Sequence, residues 1–211
     1  MLASVKFTGG DLAGLIVAIS FAAGLNLYAT VASLGLMAHA GWVDLPPGLH
    51  LLESWWVIGA AGALFAIEFF ADKIPAFDLV WNALHTFVRV PAAALMAYGA
   101  TMQLSPAKQA LAMLVGGGIA MAAHGGKTAA RVAVMPSPEP FSRIAMSTGE
   151  DTTAVLLTWF AIMHPILAGS VVVVFLVAIV IVIRAVMRAI WRLFHRHHGG
   201  VAPAKRSLTA A

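Results

Sequence analysis

The sequence predicts an all-α protein built as a polytopic transmembrane helix bundle, and three observations carry that prediction. Hydrophobic residues make up 61% of the chain and charged residues only 10%, against roughly 45–50% and about 25% in soluble domains. A water-soluble surface cannot be assembled from this composition. Two stretches, residues 12–43 and 152–183, contain no Asp, Glu, Lys or Arg, where about 20 residues suffice to cross a bilayer. Trp42, Trp55, Trp56, Trp81 and Trp191 fall near the ends of the expected segments, where an interfacial aromatic belt belongs. Trp159 falls outside that pattern.

Each uncharged stretch is longer than one straight span. In the first, Gly24-Leu25-Asn26 is expected to break or tilt the helix. In the second, His164-Pro165 followed by Gly169 is expected to close a hairpin, because proline removes a backbone donor and clashes one turn back. Between them, spans are read near 54–72, 79–102 and 106–124, the last opened by Ser105 as cap with Pro106 at the first helical position. This gives about six spanning or re-entrant segments in a single transmembrane domain, 1–193, followed by a basic, disordered cytoplasmic tail, 194–211. One long tilted helix over 152–191 would instead give five segments and place the N-terminus outside. Only Lys6 precedes the first apolar run, which outlasts the roughly 7–15 residues of a signal-peptide core, so that run is read as a retained segment. Met135 to Arg143, with prolines at 136, 138 and 140, cannot be regular helix throughout. It is expected as an ordered cytoplasmic loop leading to Glu150 and Asp151 just before the fifth span.

Charge placement sets orientation. The net charge is +4, but the basic residues gather just beyond apolar segments and form no aromatic-interleaved stripe, which argues against nucleic acid as a partner. Arg184, Arg188, Arg192, Arg196, Lys205 and Arg206 follow the last segment and place the C-terminus in the cytoplasm, with the bacterial inner membrane as the expected site. Loop 43–53 carries Asp44 and Glu53 without a basic residue and suits the outside. Segment 125–151 carries Lys127, Arg131 and Arg143 and suits the inside. The absence of cysteine excludes disulfides, thiolate metal sites and a cysteine nucleophile. His195, His197 and His198, interleaved with arginine, read as a membrane-surface basic patch in preference to a metal tract. Neither a metal nor a cofactor is expected. Hydrolase, zincin and phosphate-loop motifs are absent.

The most informative feature is a polar stripe in an apolar setting. Asp78, Asn82, His85 and Arg89 recur at spacings of four, three and four, on one helical face. Arg89 then lies about 15 Å along its segment at 1.5 Å per residue, inside the hydrocarbon, where a charge costs several kcal/mol unless it faces a cavity or partner. Glu68 and Asp72, one turn apart on the preceding segment, supply that partner. The alternative is that Asp72, Lys73 and Asp78 cap the Pro75 turn while Glu68 pairs with Arg89 for structure alone. A second polar face joins His124, Lys127 and Arg131, with Gly125 and Gly126 permitting close backbone approach. Such a face suits an anionic headgroup or phosphate, or serves as positive-inside anchoring. Glu150 and Asp151 are either helix N-terminal charges or pocket carboxylates opposite Arg131. Asn26, Thr30 and Ser33 share a face that lines the same cavity or bonds between helices.

Gly24-Leu25-Asn26-Leu27-Tyr28-Ala29-Thr30-Val31-Ala32 also weakly matches residues 125–133. An inverted repeat of two halves, 10–103 and 104–193, and a chance similarity stand as alternatives. Gly24 to Thr30, Asp72-Lys73-Ile74-Pro75 through Asp78, His85-Thr86-Phe87-Val88-Arg89 with Pro91, and His124-Gly125-Gly126-Lys127 with Ser137-Pro138-Glu139-Pro140 together resemble domain-of-unknown-function family 4126. The resemblance covers roughly residues 10–190 and implies a bacterial multi-pass membrane protein. It implies no activity, substrate or cofactor.

The leading functional expectation is a small transporter or permease for an anionic or phosphorylated solute or lipid headgroup. Its cavity would be lined by Glu68, Asp72, Asp78, Asn82, His85, Arg89, Asn26, His124, Lys127 and Arg131. The lipid bilayer is the expected surrounding, and a homo-oligomer is expected from the small residues on its helices. The alternatives are a non-catalytic membrane scaffold whose polar network serves packing, and an intramembrane lipid-phosphate enzyme using His85 or His124. The orientation is directly testable: a fluorescent protein fused after Ala211 should fluoresce in a bacterial host, and alkaline phosphatase fused after Gly48 should be active. The reverse pattern contradicts the assignment.

Overall fold

The computed structural model describes residues 7–72, 74–134 and 140–198, and among them the regular elements are all helical. Lys73, residues 135–139 and the tail 199–211, on which several sequence readings fall, lie outside the described residues. The chain divides into two compact units, Met1–Leu176 and Val177–Ala211.

Helix α1, Gly9–Leu25, starts where the Asp11 carboxylate accepts from the Thr8 backbone N–H at 3.0 Å and from its hydroxyl at 2.6 Å. It stops at Asn26, whose backbone is extended at φ −147° and ψ 104°. Helix α2, Leu27–His39, begins at once, because Asn26 Oδ1 accepts from the Ala29 N–H at 2.9 Å as an N-cap side chain does. That bond captures the donor an uninterrupted helix would give to the Leu25 carbonyl. The break therefore presents a free backbone acceptor to the interior. At its far end, α2 closes with Gly41 at φ 75°, while Gly41 N–H donates to Ala38 at 2.9 Å and Trp42 N–H to Met37 at 3.0 Å. This paired termination needs a left-handed residue, which glycine adopts without penalty.

A short 3₁₀ helix, Pro47–Glu53, precedes α3, Trp55–Ala71, with a 66° bend between them. Then come α4 (Pro75–Ala100), α5 (Pro106–Val134), α6 (Pro140–Met163) and α7 (Pro165–His198). Both long uncharged stretches are thus broken where expected, the first at Asn26 and the second at His164-Pro165. The expected segment boundaries need correction in two places. Helix α5 runs past 124, through Gly125 and Gly126, to Val134. Helix α6 begins at Pro140, so the loop expected through Arg143 is already helical. Proline is tolerated at a first helical position because its missing donor would be unpaired there anyway. Glu150 and Asp151 consequently sit in the middle of α6, and the reading of them as N-terminal charges is withdrawn.

In the first unit α1 packs against α4, α5 and α6, and α5 against α4. Close approach rests on small residues. Ala18, Ala22 and Ala23 of α1, Ala93 of α4 and Ala120 of α5 are wholly buried or nearly so. A Cβ added to Gly24 would lie 2.7 Å from the Ala123 Cβ and 2.9 Å from the Ala120 Cα. Gly125, by contrast, has nothing within 4 Å of that position, so the close approach expected there is not made. The two stretches matched as a repeat also differ in backbone: 24–32 breaks at Asn26, while 125–133 is unbroken helix. In the second unit, residues 177–198 are helical, with Val180, Ile181, Ile183, Met187 and Trp191 exposed.

Gly24→Val should lower stability by about 1–3 kcal/mol through overpacking. Gly118→Ala, a position with nothing within 4 Å, should stay within about 0.5 kcal/mol of the parent. Thermal unfolding in detergent measures both, and equal losses would contradict this packing.

Candidate functional site

Five parts of the first unit bring their polar side chains to one place. Helix α3 contributes Glu68 and Asp72, α4 contributes His85 and Arg89, α5 contributes His124, Lys127 and Arg131, and α6 contributes Ser147, Glu150 and Asp151. The α1–α2 break contributes Asn26. Arg89 and Glu68 are completely buried, and Asn26, Asp72, His85, His124, Lys127, Ser147 and Asp151 are buried too. Only the side chains of Arg131 and Glu150, at 13% and 12% exposure, reach toward solvent.

Arg89 pairs with Glu68 through one terminal nitrogen, and its other terminal nitrogen donates to His124 Nδ1 at 3.1 Å. A guanidinium can only donate, so His124 Nδ1 must be the bare nitrogen. The ring proton then sits on Nε2, 2.8 Å from the Thr86 hydroxyl, which accepts it. His85 keeps a proton on the opposite nitrogen. Its Nδ1 lies 2.7 Å from the Trp81 carbonyl and must donate there, while its Nε2 shares a hydrogen bond of 2.9 Å with the Tyr28 hydroxyl. The Trp81 ring stacks on His85 with centroids 4.3 Å apart. His124 is therefore fixed as a neutral ring by its partners, while His85 is fixed only in keeping its Nδ1 proton.

Lys127 stands at the centre. Its ammonium donates to the freed Leu25 carbonyl at 3.0 Å and lies 3.1 Å from Glu150 and 3.7 Å from both Glu68 and Asp72. Arg131 bridges Asp72 at 2.6 Å and Glu150 at 2.5 Å, and Asp72 also receives the Ser147 hydroxyl at 3.4 Å. Asp151 accepts from the Asn26 amide at 2.8 Å. Three cations thus face four carboxylates. Among the described residues, Glu68 Oε2, Asp72 Oδ1, Asp151 Oδ2 and Arg89 Nε are buried without a hydrogen-bond partner. No group of three or more His, Asp or Glu among the described residues is arranged to hold a metal. The site can hold donors, shift its cations between acceptors and exchange protons.

Eight of the ten expected cavity residues come together: Asn26, Glu68, Asp72, His85, Arg89, His124, Lys127 and Arg131. The side chains of Asp78 and Asn82 lie outside the described residues. Asp72 is the C-cap residue of α3, just before the Pro75 turn, while its carboxylate is taken by Arg131 and Ser147. Of the two alternatives for Glu150 and Asp151, the structure agrees with pocket carboxylates: Glu150 meets Arg131 and Asp151 meets Asn26. Ser147, Glu150 and Asp151 have the spacing of one helical face, a signal hidden by reading the segment as loop through Arg143. Tyr28 stood alone in an apolar run with nothing to mark it. A separate cavity of about 270 Å³ is lined by Phe7, Leu12, Asp44, Pro46, His50 and Gln103, and no side chain of the ion network lines it.

The fold and site define a helical protein organised around a buried ion-pair network. The family model for a domain of unknown function, DUF4126, matches residues 13–185, and the chain belongs to that family. No curated protein and no solved structure matches it.

Removing one partner from a buried pair leaves an uncompensated charge. Lys127→Met should therefore lower stability by about 3–5 kcal/mol, and Lys127→Arg should lose less because the charge is kept. Melting in detergent checks this, and a Lys127→Met variant as stable as the parent would contradict it.

Proposed function

We propose that the chain is a multi-pass permease of the bacterial inner membrane, moving a small anionic or phosphorylated solute, or a lipid headgroup, together with protons. The observation that carries this reading is the inverted distribution of side chains. Arg89 and Glu68 are wholly buried while Trp56 is 88%, Phe87 81% and Leu114 74% exposed. Water-soluble proteins bury such residues and solvate the charges, whereas a bilayer favours the opposite arrangement.

By length and composition one helix, Pro165–Ala185 with mean hydropathy 3.3, qualifies as a membrane span, or two if the bent pair Pro47–Glu53 and Trp55–Ala71 forms a single span. Helices α4, α5 and α6 carry the charges of the network, which lowers their hydropathy. With those charges paired inside, many of their outward residues are apolar, Phe87, Leu114 and Trp159 among them, beside exposed Lys108, Thr148, Thr152 and Thr153. On this reading the chain has about six segments with both termini in the cytoplasm, and small-residue faces would pair copies into a homo-oligomer.

Three features favour transport over packing. A helix broken within an apolar segment presents backbone carbonyls at the binding site in many secondary transporters, and here the Leu25 carbonyl meets Lys127. Lys127 has three carboxylates within 3.7 Å, so its pairing can shift without leaving it alone. Arg131 and Glu150 are the accessible end. An anion entering there competes with Asp72 and Glu150 for Arg131, and a proton would neutralise the carboxylate that it displaces.

The second reading, a scaffold, is favoured by the fact that each of Arg89, Lys127 and Arg131 already has a carboxylate partner. Thermal stability of purified protein with inorganic phosphate or glycerol phosphate separates the two, since a ligand at about 100 times its Kd adds about 2.7 kcal/mol. The permease reading expects stabilisation that is lost in Arg131→Ala and uptake of the same anion into proteoliposomes under an inward proton gradient. No stabilisation and no uptake would leave the scaffold reading.

A further inference from the structure

We infer that the network holds a proton at rest, and that it resides on Asp151 Oδ2, bound there as a neutral carboxylic acid. The inference deepens the permease reading by naming the proton's seat, and it rests on that reading only for its consequence in transport.

Among the four carboxylates, Asp151 is set apart by its partners. Glu68 has Arg89 and Lys127, Asp72 has Arg131 and Lys127, and Glu150 has Arg131 and Lys127. Asp151 is 95% buried and belongs to no ion pair among the described residues. Its Oδ1 accepts from the neutral Asn26 amide, and its Oδ2 is buried with no partner. One neutral donor to one oxygen does not hold a carboxylate charge in a dry interior. A carboxylic acid fits better, because Oδ1 remains the carbonyl acceptor while the proton occupies the otherwise orphaned oxygen.

The charge count agrees. Counted over the described residues, with all four carboxylates ionised the cluster carries one more negative charge than Arg89, Lys127 and Arg131 balance. With Asp151 neutral it balances. The elements packed on α6 supply the charges that face this position: Lys127 from α5 attracts the ionised form, while Glu68 and Asp72 from α3 repel it. Neither neutral Asn26 nor Tyr28 at the α1–α2 break adds a cation. Glu150, adjacent on α6, already occupies Arg131.

A consequence follows for coupling. When the Oδ2–H bond breaks and its proton leaves to water, a carboxylate remains whose nearest recruitable cation is Lys127. Lys127 can turn toward it only by loosening its hold on Glu150, Glu68 and Asp72 and on the Leu25 carbonyl. Proton occupancy at Asp151 and the pairing of the other carboxylates are therefore linked, and Asn26 ties both to the helix break.

Infrared spectroscopy of the purified full-length protein at neutral pH tests this through the C=O stretch of a protonated carboxyl, identified by its downshift in heavy water. The band is expected in the wild type, lost in Asp151→Asn and displaced in Asp151→Glu. Asp151→Asn mimics the neutral acid and should melt close to the wild type. Absence of the band in the wild type overturns the inference, and so does a band that persists unchanged in both variants. Failure of Asp151→Asn to fold also counts against it, with Asp151→Glu then carrying the spectroscopic comparison. A band assigned to Asp151 in a protein that moves no anion would refute the permease reading and leave this inference standing.

Discussion

Charge in an apolar interior must be matched by charge of opposite sign, and the pairing of Arg89 with Glu68 is where this constraint binds hardest. Both side chains are fully shielded from solvent, so neither can relax toward water if the other leaves. The effective cost of transferring an ion into such surroundings is still several kcal/mol after relaxation. Two helices, α3 and α4, are thereby obliged to present one particular face to each other. The requirement then propagates: Arg89 fixes the tautomer of His124 on α5, and Lys127, one turn further along α5, must lie among the remaining carboxylates. The apolar contacts around the pair are non-directional, so the ion pair is the strong directional constraint on how these helices meet.

The α1–α2 break is the second element of that logic. Asn26 ends α1, caps α2 through Ala29 and donates to Asp151, using its oxygen and its amide nitrogen for different partners. The carbonyl it strands at Leu25 is taken up by Lys127. An unpaired carbonyl buried away from water is costly, so the break and the lysine stabilise each other. Alanine and glycine pairs on α1, α4 and α5 bring the backbones close enough for these polar groups to meet. Packing and electrostatics are therefore not separable here.

Much of this was legible in the residues. Glu68, Asp72, His85 and Arg89 announced themselves as polar groups at helical spacing in an apolar context, and His124, Lys127 and Arg131 did the same on α5. Helix breaks at Asn26 and at His164-Pro165 followed from local backbone chemistry. The losses have physical causes. Three prolines between 136 and 140 masked the start of α6, and with it the common face of Ser147, Glu150 and Asp151. Gly125 and Gly126 looked like a close-contact site, yet glycine marks a permission and not a contact, and Gly125 faces open space. Which carboxylate meets which cation depends on interhelical geometry that spacing along one helix cannot encode. For the same reason the Tyr28–His85 contact, between residues 57 apart, left no trace in the pattern.

The pairing of Glu68 with Arg89 is the claim on which the others rest, and a double-mutant cycle of Glu68→Gln and Arg89→Gln measures it most directly by thermal unfolding in detergent. Each single change should cost about 3–5 kcal/mol by leaving a buried charge uncompensated. The double variant should lose less than the sum of the two, by about 0.5–3 kcal/mol of coupling. Losses that simply add would contradict the claim, because they would mean that the two residues do not hold each other in place.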